Sequence, residues 1–246
     1  MQENSTAVRH VLILNSEAIS FSTMSDFYNV FSIPVWKTKI TKDDYDKDLI
    51  LGEMLHNFKV DPKRNTWDKV MPTTMKSNWH HSNNDESDKR FKSVSYEESG
   101  LTSVINSKVR EFFSHLGLNS DVNYFYQITN YTVSTEGYFL TSHGHGSDSF
   151  SSVLFVQFDK LNHPSTYFNN PFSAADQTRW LQRDLYNSFD NRNPFFSYMQ
   201  DTWAIDTDED DYMIFPGHVK HEVPTVGKSN KERVTISCNI KVYKDV

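Results

Sequence analysis

The chain has 246 residues, of which 37% are hydrophobic and 14% aromatic, and a formal net charge of −7. This fits one soluble globular domain and excludes a disordered chain, while the lack of a basic stripe leaves general nucleic-acid binding without support. Cys238 is the single cysteine, so internal disulfides and thiolate zinc clusters are excluded and any metal must bind through His, Asp or Glu.

Residues 1–25 read as an N-terminal extension to a single domain over 26–246. Their "MQENSTAVRHVLILNSEAIS" has only a short apolar patch with no cleavage site behind it. No run approaches the roughly 18 apolar residues of a membrane span. The expected location is therefore the cytoplasm, by default, with no membrane partner. "YNVFSIPVWKTKI" follows, a β-branched and aromatic run in which Pro34 suits an edge strand. In "TKDDYDKDLILGEMLHNF", Thr41 and Asp44 resemble a helix cap, and Tyr45, Leu49, Met54, Leu55 and Phe58 can share a helical face. Residues 59–97 read as polar loop. His80 and His81 within it are adjacent and point apart on any regular element, which favours an exposed loop over a metal site.

"LTSVINSKVREFFSHLGL" predicts a helix, with Leu101, Val104, Ile105, Phe112, Phe113 and Leu116 at helical spacing and Gly117 as its stop. From residue 122 strand signals take over: "NYFYQITNYTV", "GYFLTSHGH", "SSVLFVQF", "STYFN", "DTWAID", "DYMIFP", "HEVPTV" and "RVTISCNIKVY". Many short strands after a helical support predict a mainly β sandwich or barrel over 122–246, carried on helices and loops of 26–121. The insert 172–200, with Trp180, Tyr186, Phe195 and Phe196, reads as a short helix or loop over one mouth whose aromatics pack locally. "DTDEDD" reads as a solvated turn.

Two features carry chemistry. On a strand, His143 and His145 point the same way and can share one metal ion, although two ligands alone are a weak pattern. His221, after the turn at Phe215-Pro216-Gly217, can supply a third. Further on, Arg233, Thr235, Ser237 and Asn239 alternate with Val234, Ile236, Cys238 and Ile240. The polar face meets either bulk water, with Arg233 a surface charge, or a wet cavity, where a guanidinium can fork onto a carboxylate.

The order H-x-H, "SFSSVLFV", "TYFNNP", "FPG", a later histidine and "ERVTISCNI" resembles the 2-oxoglutarate/iron(II) oxygenases of double-stranded β-helix (jelly-roll) fold. More narrowly, it is similar to a branch with the pattern H-x-H-P-x-x-x-x-S-G-x-x-Y, then F-P-x-x-x-x-H, then E-R-x-S-I-S-F-N. The resemblance implies Fe(II) and 2-oxoglutarate as cofactors and a dioxygenase that hydroxylates its substrate while decarboxylating 2-oxoglutarate to succinate. It further implies His143, His145 and His221 as metal ligands, with Arg233, helped by Thr235, on the distal carboxylate of 2-oxoglutarate. Tyr131 or Tyr138 would reach the same carboxylate. Where the wider superfamily has H-x-D this chain has His145, with Asp148 as the alternative ligand; Gly146 and Ser152 replace a proline and a glycine of the branch pattern. A cupin-like metal-binding or interaction module without turnover is the competing reading, and a three-histidine cupin enzyme without 2-oxoglutarate a third. The substrate and the oligomeric state, a homodimer included, are left open.

Overall fold

The computed structural model describes residues 33–64, 79–82, 88–118, 122–171 and 200–243, with 79–82 described by their backbone. The expected extension 1–25 and the insert residues 172–199, with Trp180, Tyr186, Phe195 and Phe196, lie outside the described residues. The described residues belong to a unit that begins at Ile33.

Two helices precede most of the strands. In α1 (Lys47–Val60) the buried positions Ile50, Met54 and Asn57 recur at helical spacing. The expected cap differs: Asp46 accepts from the Leu49 N–H at 3.0 Å, while Asp44 closes a separate turn by accepting from the Thr41 N–H at 2.7 Å. Starting the helix after Asp46 turns Leu49 outward, and it is 37% exposed. Helix α2 (Leu101–His115) buries Leu101, Ile105, Val109, Phe112 and Phe113. It stops as expected: Gly117 takes φ +72°, Gly117 N–H donates to Ser114 O and Leu118 N–H to Phe113 O, the double bond that closes a helix through a left-handed residue.

The strands are β1 (Trp36–Lys39), β2 (Trp79–Ser82), β3 (Asn123–Ser134), β4 (Leu140–His143), β5 (Phe150–Gln157), β6 (Tyr167–Asn169), β7 (Thr202–Ala204), β8 (Asp211–Pro216), β9 (His221–Val223) and β10 (Arg233–Tyr243). They form a six-stranded sheet, β1-β8-β5-β10-β3-β2, and a four-stranded sheet, β4-β9-β6-β7. Every pairing is antiparallel. This is a mainly β fold of the jelly-roll class with flanking helices, as expected. β1, just after Pro34, lies at a sheet edge. β2 corrects the loop expected around His80 and His81: Trp79–Ser82 pair with Asn130–Val133, so the partner strand supplies the order that a short polar segment does not encode.

Residues that alternate along β5 and β8 enter two different cores. Leu154, Val156, Tyr212 and Ile214 join the helices in one cluster. Val153, Phe155, Met213 and Phe215 meet Phe168 of the small sheet in the other. Burial on both faces explains why "SVLFV" and "MIF" read as continuous apolar runs. Phe112 anchors α2 edge-on against Phe150 at 5.0 Å between centroids.

The acidic run is also corrected. Asp211 is buried and accepts from Lys37 at 3.3 Å and Lys39 at 2.9 Å. Glu209 takes Lys47 at 2.8 Å, Lys231 at 2.6 Å and the Phe158 N–H at 3.0 Å. The turn is an ionic staple between α1, β1 and the loop before β10, made by lysines distant in sequence. Among the described residues no helix is long and apolar enough to cross a membrane.

Candidate metal centre

The antiparallel pairing of β4 with β9 sets His143 directly opposite His221. Their ring centroids are 4.3 Å apart. His145 lies beyond the end of β4, past Gly144, rather than on the strand itself. Its N–H donates to Gly217 O at 2.8 Å, which ties it to the turn that follows β8. Its ring stacks parallel to that of His221, and the two Nε2 atoms are 3.4 Å apart. One ligand nitrogen from each of the three histidines falls within 4.8 Å of the others.

The tautomers suit a metal. His143 Nδ1 lies 3.0 Å from Thr141 O, and His221 Nδ1 lies 3.0 Å from Val219 O. A carbonyl can only accept, so in each ring Nδ1 carries the hydrogen and Nε2 keeps its lone pair for the centre. Burial, then the charge of neighbouring His143, holds His145 down to about 4 and His221 to about 3. Burial also lowers His143. The three rings therefore stay neutral at physiological pH, the form that binds a metal. This convergence of three neutral imidazoles, two of them oriented by backbone carbonyls, fits a divalent ion with nitrogen preference, iron(II) included.

Asp148 is not part of the group. Its N–H donates to His145 O at 3.0 Å, and its Oδ2 accepts from Asn239 Nδ2 at 2.7 Å. The carboxylate is thus directed to β10.

The second part of the site is the inner face of the large sheet. β10 sends Val234, Ile236, Cys238 and Ile240 into the core beneath the helices. Arg233, Thr235, Ser237 and Asn239 take the opposite face. Arg233 is 2% exposed, which sets aside its reading as a surface charge. Its guanidinium lies over Phe155 at 5.3 Å and Phe158 at 6.0 Å, and Nε donates to Pro164 O at 3.0 Å. Nη2 is buried and has no hydrogen-bond partner among the described residues. Burial pulls the guanidinium down to about 9, still protonated at neutral pH. Thr235 shares a 2.7 Å hydroxyl hydrogen bond with Thr132 across the strands.

The two tyrosines are placed elsewhere, which corrects their expected role. Tyr131 pairs with Ile236, so it shares the helix-facing side, and its hydroxyl accepts from Asn57 Nδ2 at 2.7 Å. Tyr138 stands in the turn before β4, where its hydroxyl donates to Pro62 O at 3.4 Å. The residue beside Tyr131 was not singled out from the sequence: Asn130 pairs with Ser237, faces away from the helices, and keeps a buried Oδ1 without a partner among the described residues. Its signal lay in the alternation of "NYTVS", where Tyr131 and Val133 occupy the apolar face. Among the described residues, two buried polar atoms without partners, Arg233 Nη2 and Asn130 Oδ1, thus lie on the same face of the large sheet.

Residues 130–239 match the family model described as "Putative 2OG-Fe(II) oxygenase". No curated protein matches the sequence. Among solved structures, a Trichoplax adhaerens prolyl hydroxylase, in complex with a hypoxia inducible factor oxygen degradation domain peptide fragment, superposes with TM-score 0.50 at 11% identity. That match covers 85% of this chain and 83% of the other. A Pseudomonas putida prolyl-4-hydroxylase gives TM-score 0.49 at 10% identity, over 84% and 92%. A 2OG-Fe(II) oxygenase family oxidoreductase from Burkholderia pseudomallei gives TM-score 0.41 at 12% identity, and the chain spans 60% of its length. At these identities the likeness concerns the fold.

Proposed function

We propose that this chain, whose residues 130–239 match the 2OG-Fe(II) oxygenase model, works as such an oxygenase, that His143, His145 and His221 hold Fe(II) and that Arg233 binds the distal carboxylate of 2-oxoglutarate, with Thr235 beside it on the same strand face. When bound, Fe(II) and 2-oxoglutarate supply an oxidant: one atom of O₂ enters a substrate C–H bond as hydroxyl, the other enters succinate, and carbon dioxide leaves. The work of the chain is placement. Nδ1–H bonds to Thr141 O and Val219 O orient two of the rings, and the neutral imidazoles need no deprotonation before a metal binds. Arg233, fixed by Pro164 O and flanked by Phe155 and Phe158, presents Nη2 to a carboxylate in a site where water competes poorly. Oriented binding of the cosubstrate then confines oxidation to whatever C–H bond the mouth admits.

The observation that carries this reading is the buried Nη2 of Arg233, which has no partner among the described residues. A guanidinium taken out of water without an anion is expensive, and a small dicarboxylate repairs it. A metal-binding module with no acidic ligand leaves that cost unexplained. The test is anaerobic titration of the protein with Fe(II) and then 2-oxoglutarate, followed by visible charge-transfer absorption, with His221→Ala and Arg233→Ala alongside. The expected result is absorption that requires His221 and weakens without Arg233. Wild-type protein that retains no iron, or absorption indifferent to both substitutions, overturns the proposal.

A further inference from the structure

His145 differs from its two companions in how its ring is held. His143 and His221 each anchor Nδ1 on the carbonyl two residues back along the chain, Thr141 and Val219. His145 stands outside β4, and its ring interacts with the side chain of Asn239 on β10, next to the Asp148 that bonds the His145 carbonyl. That amide is itself fixed. Its Nδ2 donates to Asp148 Oδ2 at 2.7 Å and its Oδ1 accepts from Ser151 Oγ at 3.3 Å. Asp148 is fixed in turn, by its N–H bond to His145 O and by packing against Gly217, where an added Cβ would press into the Asp148 carbonyl oxygen.

Resting on the reading that the three histidines hold a metal, we propose that Asn239 is a positioning residue for His145 and that Asp148 anchors it, so the carboxylate acts on the centre from behind a ligand instead of as one. A hydrogen-bonded partner behind a metal-bound imidazole fixes the ring plane and raises the basicity of the ligating nitrogen, and a carboxylate behind that partner polarises it further. In this chain the H-x-H motif keeps a nearby negative charge while presenting three neutral ligands.

The test compares wild type, Asn239→Ala, Asp148→Ala, Asp148→Asn, the Asn239→Ala/Asp148→Ala double variant and His221→Ala. The readouts are Co(II) affinity by anaerobic competition titration, the visible Co(II) spectrum, and the thermal midpoint without metal. Loss of the partner behind a metal ligand weakens affinity about 10–100-fold. Asn239→Ala should fall in that range with an altered spectrum. Asp148→Ala should move the same way, and the double variant should be no weaker than Asn239→Ala, because both act through one ring. Asp148→Asn, which keeps the shape and removes the charge, carries the test if an alanine variant does not fold. Co(II) affinity and spectrum within twofold of wild type in the folded variants, with only the metal-free midpoint lowered, would reduce the pair to a structural contact and overturn the inference. Wild type that binds no Co(II) overturns the metal reading and this inference with it.

Discussion

Arg233→Met should move stability and cosubstrate affinity in opposite directions. The side chain is 2% exposed, Nε donates to Pro164 O, and Nη2 has no partner among the described residues. The effective penalty for burying such an ion is several kcal/mol, of which the Phe155 and Phe158 faces each offset about 1 kcal/mol. Methionine fills similar volume without the charge and strands only the Pro164 carbonyl, at about 1 kcal/mol. The ligand-free variant should therefore equal wild type or exceed it by about 1–3 kcal/mol. Binding should suffer: removing one partner of a buried, hydrogen-bonded charge pair costs about 2–5 kcal/mol, and a middle value of about 3 kcal/mol weakens Kd about 100-fold.

The assay is anaerobic thermal unfolding with Fe(II), with and without 2-oxoglutarate. At a ligand concentration about 100 times the wild-type Kd, binding stabilises wild type by about 2.7 kcal/mol, while the variant, then near its own Kd, gains about 0.4 kcal/mol. At about 2–4 °C per kcal/mol for a chain of this size, the ligand-induced shift shrinks from about 5–11 °C to about 1–2 °C. A ligand-free midpoint that drops by several degrees while the ligand shift persists would refute the reasoning and make Arg233 a structural clamp.

Acid should destabilise the metal-free protein early. The folded values of His145 and His221, about 4 and about 3, lie below the ordinary 6.5, so between those limits the unfolded chain binds more protons, and stability falls as pH drops from about 6.5. Gln at both positions should flatten the slope of midpoint against pH between 4 and 6.5, and an unchanged slope would contradict the assignment. Tyr131→Phe should lower stability by about 1 kcal/mol in urea unfolding and leave 2-oxoglutarate affinity unchanged; lost affinity would return Tyr131 to the pocket. Glu209→Gln should lower stability by about 1–2 kcal/mol, less in high salt because the staple is partly exposed, with Co(II) affinity intact. Its folded value near 2 lies below the ordinary 4.5, so the stability it contributes is present above pH 4.5 and lost as pH falls toward 2; an acid transition unchanged in the variant would contradict that role.

The parts legible in the sequence are those written in local periodicity. The β10 alternation separated Arg233 and Thr235 from Ile236 and Cys238 before any partner strand was known, and Gly117 marked the end of α2. Features that depend on register were not legible. Tyr131 lies one step of parity from Asn130 and Thr132, and only the pairing of β3 with β10 assigns it to the helix side. Asp148 has a side chain equally able to turn to His145 or away, and its choice is made by Asn239, 91 positions further on. The acidic run looked solvated because Lys47, 162 positions before Glu209, leaves no local trace. β2 carries too few residues to announce itself without β3.

The same strand thus holds the core and the site. β10 pairs with β3 on one side and β5 on the other, and its two faces are committed to different chemistry. A slip of one residue would put Ile236 and Cys238 on the polar face and Arg233 and Asn239 under the helices, so the apolar packing of Val234, Ile236 and Ile240 fixes where the guanidinium points. The irregularities sit beside functional positions: the β10–β3 register shifts between Ser237 and Cys238, and the β10–β5 register between Val234 and Thr235. A bulge adds twist and re-aims side chains without releasing the strand from its sheet. Arg233 and Asn239, the residues proposed to serve an anion and a histidine ligand, are therefore held at constant spacing by the core between them.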